Sequence, residues 1–326
     1  MSELRLNPLK FLNEAGFEPT DLRKLPSDAS QRTYHKFSSG KDRLILMDAP
    51  PSSNPKTPTF VDVTEHLLAA DLVAPEILGF DLDQGYLILR DLGKRTARDV
   101  LQSEPFREVE VYKEILNALL KVETLIIPDL PVLTNSTAGE MTTIAAISYA
   151  DALELGAEIS ALVEGYFEKY CDTERTLALR DFHVENVIWR DDQTSDRKVG
   201  LLDYQDAFYA PKGYDLISLL RDVRGRVSLE TQGKMTALYK EHYDLTHDFD
   251  LQLHCLAIQR NLRILGVFGR LIREEGKARY LQFLSRTWEL LMEDLAPPEF
   301  SELRDLVFEH FPKPTERLFA SWEIKN

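Results

Sequence analysis

Cysteine is nearly absent from this 326-residue chain: only Cys171 and Cys255 occur, far apart and in no metal-ligand spacing. That excludes a disulfide framework and a zinc site, and points to a reducing, cytoplasmic setting. No apolar run approaches the length of a membrane span, and the opening MSELRLNPLKFLNEAG lacks the apolar segment of a secretory signal. Positive charge is also scarce. Lys and Arg total 39 against 54 Asp and Glu, a formal net charge of −15. Long-range repulsion makes nucleic acid an unsuitable partner, while an acidic cleft for a cationic substrate stays open. Internal repeats, low-complexity tracts and flexible linkers are missing too. What is present is ordinary for a globular protein, 44% apolar and 29% charged residues, enough to bury a substantial core. Nothing calls for an oligomer, so a monomer is expected.

Short apolar or alternating runs at Leu22–Leu25, Thr33–Phe37 and Leu44–Met47 predict strands in hairpin succession. A short helix over Pro8–Gly16 precedes them. The proline-rich run APPSSNPKTPTF that follows is expected to be irregular. Val61–Ala70 reads as a helix, with Thr64, Leu67, Leu68 and Asp71 around its apolar stripe. Strands at Glu76–Asp81 and Tyr86–Leu89 close a small β-rich part. After Asp91-Leu92-Gly93 the periodicity turns helical, over Val109–Leu125, Ala145–Tyr170, Leu216–Val223, Thr231–His242, Leu251–Glu275, Tyr280–Met292 and Leu303–Phe311. The tail from Phe311 ends in an amphipathic stretch expected to dock on these helices. The expected fold class is α+β in two lobes, residues 1–91 β-rich and residues 92–326 helical.

One stretch inside the helical part is strand-like. It runs from Leu177 to Asp215: TLALRDFHVENVIWR, a polar spacer, then VGLLDYQDAFYAPKGYDLISLL. It places Asp181 five positions before Asn186, then, after an intervening apolar strand, Asp203. Phosphoryl transfer needs an acceptor hydroxyl held in line, a base near its proton and Mg²⁺ on the phosphate oxygens. Asp181 suits the base, and Asn186 and Asp203 offer the hard oxygen ligands that Mg²⁺ prefers. Each residue alone is as well explained by a turn or a strand end. The three in this order, behind a β-rich segment, point to the chemistry.

On these motifs the chain resembles the aminoglycoside phosphotransferase-like kinases, a family with a bilobal protein-kinase-like fold. YLILRDLG (Tyr86–Gly93) matches the hinge, LRDFHVEN (Leu179–Asn186) the catalytic loop, LLDYQDA (Leu201–Ala207) the metal strand and GYDLISLLRD (Gly213–Asp222) the following helix. PSDASQRTY, LILMDAPP, ILRDLG, DYQDA, YDLISLLRDVR and QRNLRILGVFGRL are similar to the anomeric N-acetylmuramate/N-acetylglucosamine kinases of cell-wall recycling. The resemblance implies ATP and Mg²⁺ as cofactors and an amino sugar phosphorylated at its C1 hydroxyl. It implies a nucleotide-binding lobe at residues 1–91, with Leu89, Asp91 and Leu92 offering hinge backbone to adenine. Asp215 is implied as a structural brace of the catalytic loop, and Asp206 with the segment Ala210–Arg224 as the border of the sugar pocket.

The chain departs from the family in its phosphate grip. There is no Gly-x-Gly-x-x-Gly. DASQR (Asp28–Arg32) stands in its place, and Met47 occupies the strand position that usually carries a phosphate-binding lysine. Either Arg32 supplies the charge, with Ser30 and backbone amides on phosphate oxygens, or the protein is a pseudokinase. The retained Asp181, Asn186 and Asp203 favour the first. Glu65, the usual partner of that lysine, is as well placed on an exposed helix face. Leu179 is expected to fill a packing position, His183 to be structural and Trp189 to be core. Arg260, Arg263, Arg270 and Arg273 fall near one helix face, most of them a solvated surface pairing with acids. One arginine, from this group or Arg224, is a candidate partner for the carboxylate of a muramic acid. An aminoglycoside- or choline-like acceptor is the rival within the same reaction class.

Overall fold

The computed structural model describes residues 5–26, 32–194, 197–246 and 248–322. By internal contacts the chain forms two compact units. One comprises residues 1–130 and 179–207, the other residues 131–178 and 208–326. These contact units are drawn differently from the two lobes expected at residues 1–91 and 92–326. A single loop-and-strand excursion, Leu179–Ala207, joins the β-rich unit.

In the first unit, helix α1 (Pro8–Glu14) is capped by Asn7, whose side chain accepts from the Lys10 N–H. Strands β1 (Thr20–Lys24), β2 (Thr33–Ser39), β3 (Asp42–Asp48), β4 (Ile77–Asp81) and β5 (Tyr86–Arg90) form an antiparallel sheet in the order β1-β2-β3-β5-β4. One face of β3, Leu44 and Leu46, packs with Phe37, Tyr86 and Ile88 against Phe11 and Leu12 of α1. Strand alternation sends Ile45 and Met47 to the other face. Helix α2 spans Thr57–Ala69, so it begins inside the proline-rich run expected to be irregular. Pro58 is tolerated because a first-turn residue has no N–H partner to lose. Phe60, Thr64 and Leu67 form the buried face of α2, whereas Leu68 is 37% exposed and Asp71 lies beyond the helix.

Helices α3 (Ala97–Ser103) and α4 (Glu108–Val122) follow the hinge. Sequence periodicity missed α3 because it is only two turns long; its signal is a capping box between Thr96 and Asp99. The antiparallel pair β7 (Val187–Trp189) and β8 (Val199–Leu201) completes the unit, with isolated bridges from Val73 to Gly200 and from Thr96 to Ile188. Trp189 is buried, its indole N–H donating to Asp191 at 2.8 Å.

The second unit is helical around one large core. Its strands β6 (Arg175–Ala178) and β9 (Phe208–Pro211) pair antiparallel. The helix expected over Ala145–Tyr170 is broken. A π-helical turn at Ala145–Ala150 ends at Asp151, φ 58°, and α6 starts at Gly156 and runs to Tyr170. The cause lies in α9 (Asp248–Arg273), whose Gly266 and Gly269 let that turn approach its backbone. A Cβ on Gly266 would lie 2.4 Å from the Ile144 carbonyl carbon. The unit also contains α5 (Asn135–Glu140), before that turn, and α7 (Tyr214–Leu220) and α8 (Leu229–Tyr243), before α9. Helices α10 (Leu281–Asp294) and α11 (Ser301–His310) follow. The last helix, α12 (Glu316–Ser321), packs Leu318 and Phe319 on the core, as the amphipathic tail predicts. The two cysteines are free thiols, and their buried side chains meet here.

Candidate active site

The first unit holds a mostly apolar cavity of about 330 Å³. The sheet supplies Leu25, Tyr34, Ile45 and Leu89, the loop strands Ile188 and Leu202, and the hinge Arg90 through Gly93. Asn186 and Asp203 also line it. An apolar slot beside residues 90–93, with side-chain oxygens in its wall, has the chemistry of a nucleotide site.

The candidate catalytic-loop residues are fixed by backbone geometry. Arg180, just before Asp181, has φ 76°, and Asp203 has φ 61°. Non-glycine residues in this left-handed region store strain, and such residues persist only where their surroundings hold them. The Asn186 amide donates to the Asp181 carbonyl at 2.8 Å and lies 3.3 Å from His183 Nε2. That contact fixes the amide orientation and leaves Asn186 Oδ1 as the group able to accept a cation. The Leu202 N–H donates to the Asn186 carbonyl at 2.9 Å, which ties the Asn186 loop to the strand leading into Asp203. Among the described residues no three His, Cys, Asp or Glu side chains converge on a cation site. One carboxylate and one amide oxygen fit Mg²⁺, which completes its shell with water and phosphate and needs no all-protein cage.

The Asp203 side chain is 45% exposed, yet its pKa is raised, first by burial of the site and then by repulsion from Asp181. The Gln205 amide, donating at 3.0 Å, and Arg32, whose guanidinium lies 3.6 Å away, oppose that rise. Asp206 behaves differently. Burial works against its ionisation, but Lys56 outweighs it, aided by Arg180 at 3.3 Å and Gln205 at 3.2 Å, and the carboxyl lies below its usual range.

Arg32, and not the residue at position 47, brings positive charge beside Asp203. Met47 is fully buried beside Leu87 and Tyr34 in the sheet register, and Ile45, on its face of β3, reaches the cavity. Arg32, only 8% exposed, stands immediately before the neighbouring strand β2, pairs with Asp203 and hydrogen-bonds Tyr34. A cation thus reaches the site from β2, one strand away from the usual lysine position on β3. Ser30 and Asp28 lie outside the described residues. Glu65 is exposed on α2. In its place Thr64, one residue earlier, faces inward and hydrogen-bonds Tyr204 at 2.7 Å. Residue-type reasoning missed Tyr204, Gln205 and Lys56; their adjacency to Asp203 in DYQDA was the available signal for the first two.

The Asp91 carboxylate is held by Lys36 and the Gly93 N–H, and its own N–H donates to the Arg43 carbonyl at 3.2 Å. Leu179 and His183 are buried, as expected of packing and loop residues. In the second unit Asp215 is buried in the first turn of α7. Arg224 pairs with Asp222 at 3.5 Å, and Arg260 stacks over Tyr214 at 5.0 Å. Arg270 and Arg273 pair with Glu275 and Asp151 at 3.8 and 3.2 Å, the acid-paired surface expected of them.

Comparison with known proteins identifies the family and the fold. A Pseudomonas aeruginosa protein named N-acetylmuramate/N-acetylglucosamine kinase is 30% identical over 311 residues, 89% of this chain and 88% of that protein. One of the same name from Caulobacter vibrioides is 28% identical over 368 residues, covering 97% of this chain and 99% of that one. Among solved structures, choline kinase LicA from Streptococcus pneumoniae superposes with a TM-score of 0.63 at 12% identity, covering 87% of this chain and 97% of that one. ADP-bound aminoglycoside phosphotransferase APH(2'')-Ib gives 0.61 at 15% identity, covering 88% and 99%. These structures share the bilobal, kinase-like α+β fold. The model of the phosphotransferase enzyme family matches residues 21–249, and the chain belongs to that family.

Proposed function

We propose that this protein transfers the γ-phosphoryl group of ATP to the anomeric hydroxyl of an amino sugar, N-acetylmuramic acid or N-acetylglucosamine, in the recycling of cell-wall sugars. Residues 1–91 serve as the nucleotide lobe, and residues 92–326 carry the catalytic loop and substrate site. The observation that carries the reading is that Asn186 and Asp203 line one cavity beside residues 90–93, with the Asn186 amide bonded to the Asp181 carbonyl and the Asp181 charge felt at Asp203. Kinship with relatives bearing the sugar-kinase name supports the acceptor class.

Asp181 orients the acceptor hydroxyl and takes its proton. An anomeric hydroxyl is more acidic than an ordinary alcohol, so a carboxylate is an adequate base. Asn186 Oδ1 and the Asp203 carboxylate hold Mg²⁺, which when bound supplies positive charge to phosphate oxygens. Arg32 releases Asp203 and turns its fork to phosphate, and Ser30 assists with backbone amides. Leu89, Asp91 and Leu92 present hinge backbone to the base. Asp206, kept ionised by Lys56 and Arg180, accepts from a sugar hydroxyl. Arg224 and Arg260 offer cations to the lactyl carboxylate, and Asp215 braces the loop.

The buried Met47 favours one rival, a catalytically weak pseudokinase with a regulatory role. Incubation of the purified protein with Mg-ATP and N-acetylmuramic acid, N-acetylglucosamine, kanamycin or choline, with ADP release followed, separates the readings. Turnover with the amino sugars, reduced about 10²–10⁴-fold in Asp181→Asn, is the expected result. Turnover only with a cationic acceptor, or with none, overturns it.

A further inference from the structure

The Tyr204 ring is fully buried and lies flat on Phe60 of α2, with centroids 4.9 Å apart and planes within 6°. Its hydroxyl is 2.7 Å from Thr64 Oγ1, one helical turn further along α2. Thr64 itself donates to the Phe60 carbonyl at 2.6 Å. The Thr64 proton is thereby committed, so the proton between the two hydroxyls belongs to Tyr204, and the order of donation is Tyr204 to Thr64 to Phe60. Thr64 is also fully buried, so no water competes for this chain of bonds.

Tyr204 directly follows Asp203, whose left-handed backbone needs support from both sides. On the N-terminal side Leu202 is held by the Asn186 carbonyl. On the C-terminal side the support is Tyr204, pinned to α2 by stacking and by its hydroxyl. In kinases generally an ion pair between a strand lysine and a helix glutamate joins that helix to the site. Here the lysine position is Met47 and Glu65 faces outward, so the helix engages the site through its Phe60–Thr64 face instead.

We propose that the buried Phe60–Thr64–Tyr204 contact is the device that couples α2 to the metal strand, and that Tyr204 is a positioning residue holding the Asp203 carboxylate where it can meet a nucleotide-bound cation. The inference rests on the reading of Asp203 as a Mg²⁺ ligand, and does not depend on which acceptor is phosphorylated.

The test is calorimetric titration of the intact protein with ADP, once with Mg²⁺ and once with EDTA. Tyr204→Phe and Thr64→Val each remove one hydroxyl and keep the packing. Each should reduce the Mg²⁺-dependent gain in ADP affinity about tenfold, the size of one buried hydrogen bond, with affinity in EDTA unchanged. The double variant should be no worse than either single one, because both break the same contact. Lower melting temperatures with an intact Mg²⁺ gain would make the contact merely structural and overturn the proposal, as would additive effects in the double variant. If the unaltered protein shows no Mg²⁺-dependent gain at all, the assignment of Asp203 fails, and the coupling with it. A protein that gains affinity with Mg²⁺ but phosphorylates no amino sugar leaves this inference standing and removes only the acceptor.

Discussion

Asp181 and Asp206 both repel Asp203, and the cations beside Asp203 and Asp206 differ. Asp206 has Lys56 and Arg180 and stays ionised, while Asp203 has Arg32 at 3.6 Å and one amide donor. Arg32 is therefore shared between neutralising Asp203 and, in the account above, gripping phosphate. Arg32→Ala should weaken ADP binding about tenfold, the loss expected for one charge-assisted hydrogen bond. Arg32→Lys should recover only part of it, because an ammonium lacks the planar fork. Equilibrium binding measures both. Unaltered affinity in the alanine variant would remove Arg32 from the grip. Asp181, Asn186 and Asp203 were legible as candidates because their spacing fits a chemical requirement. Arg32's pairing was not, since nothing in the sequence says how far a side chain before β2 reaches.

At the scale of elements, periodicity found most helices because their apolar faces are long, and it failed where a local backbone device overrides the pattern. The start of α2 inside APPSSNPKTPTF is one case: proline forbids a helix interior but suits a first turn. The break at Ala145–Ala150 is another. Its cause is two glycines more than a hundred residues away on α9, and single-sequence periodicity does not see such contacts. Gly266→Ala places a Cβ against backbone that has nowhere to move, and should destabilise the protein by about 1–3 kcal/mol. Chemical denaturation measures this, and a stability within error of the unaltered protein would contradict the packing described.

The helical unit also contains a buried carboxyl, Asp294, 2.9 Å from Arg221 and 3.3 Å from His254. Burial raises its pKa despite His254 and Arg221, which pull it down. A carboxyl that holds its proton more tightly when folded favours the folded state at low pH. That contribution is lost as pH climbs through its native pKa. Asp294→Asn, which cannot ionise, should therefore gain thermal stability relative to the unaltered protein as pH rises from about 4 to neutrality. A constant difference across that range would show that Asp294 is not raised.

For the whole molecule, periodicity predicted an α+β chain and the motif resemblance implied the kinase-like fold, and the solved structures and the family match over residues 21–249 agree. The division of the chain was less legible. The catalytic-loop excursion Leu179–Ala207 belongs with the β-rich unit, and only contacts distant in sequence reveal that. Function has the same structure. Phosphotransferase chemistry follows from the family, with Asp181, Asn186 and Asp203 proposed to carry it, while the proposed acceptor rests on kinship with sugar-kinase relatives. No helix among the described residues is long and apolar enough to cross a membrane. The central claim is phosphoryl transfer to an anomeric hydroxyl, and the position of phosphate in the product tests it most directly. Phosphorus–proton correlation NMR of the product formed from Mg-ATP and N-acetylmuramic acid should show the new phosphate coupled to the sugar H1. Coupling to any other ring proton, or a spectrum containing no sugar phosphate, would contradict the account.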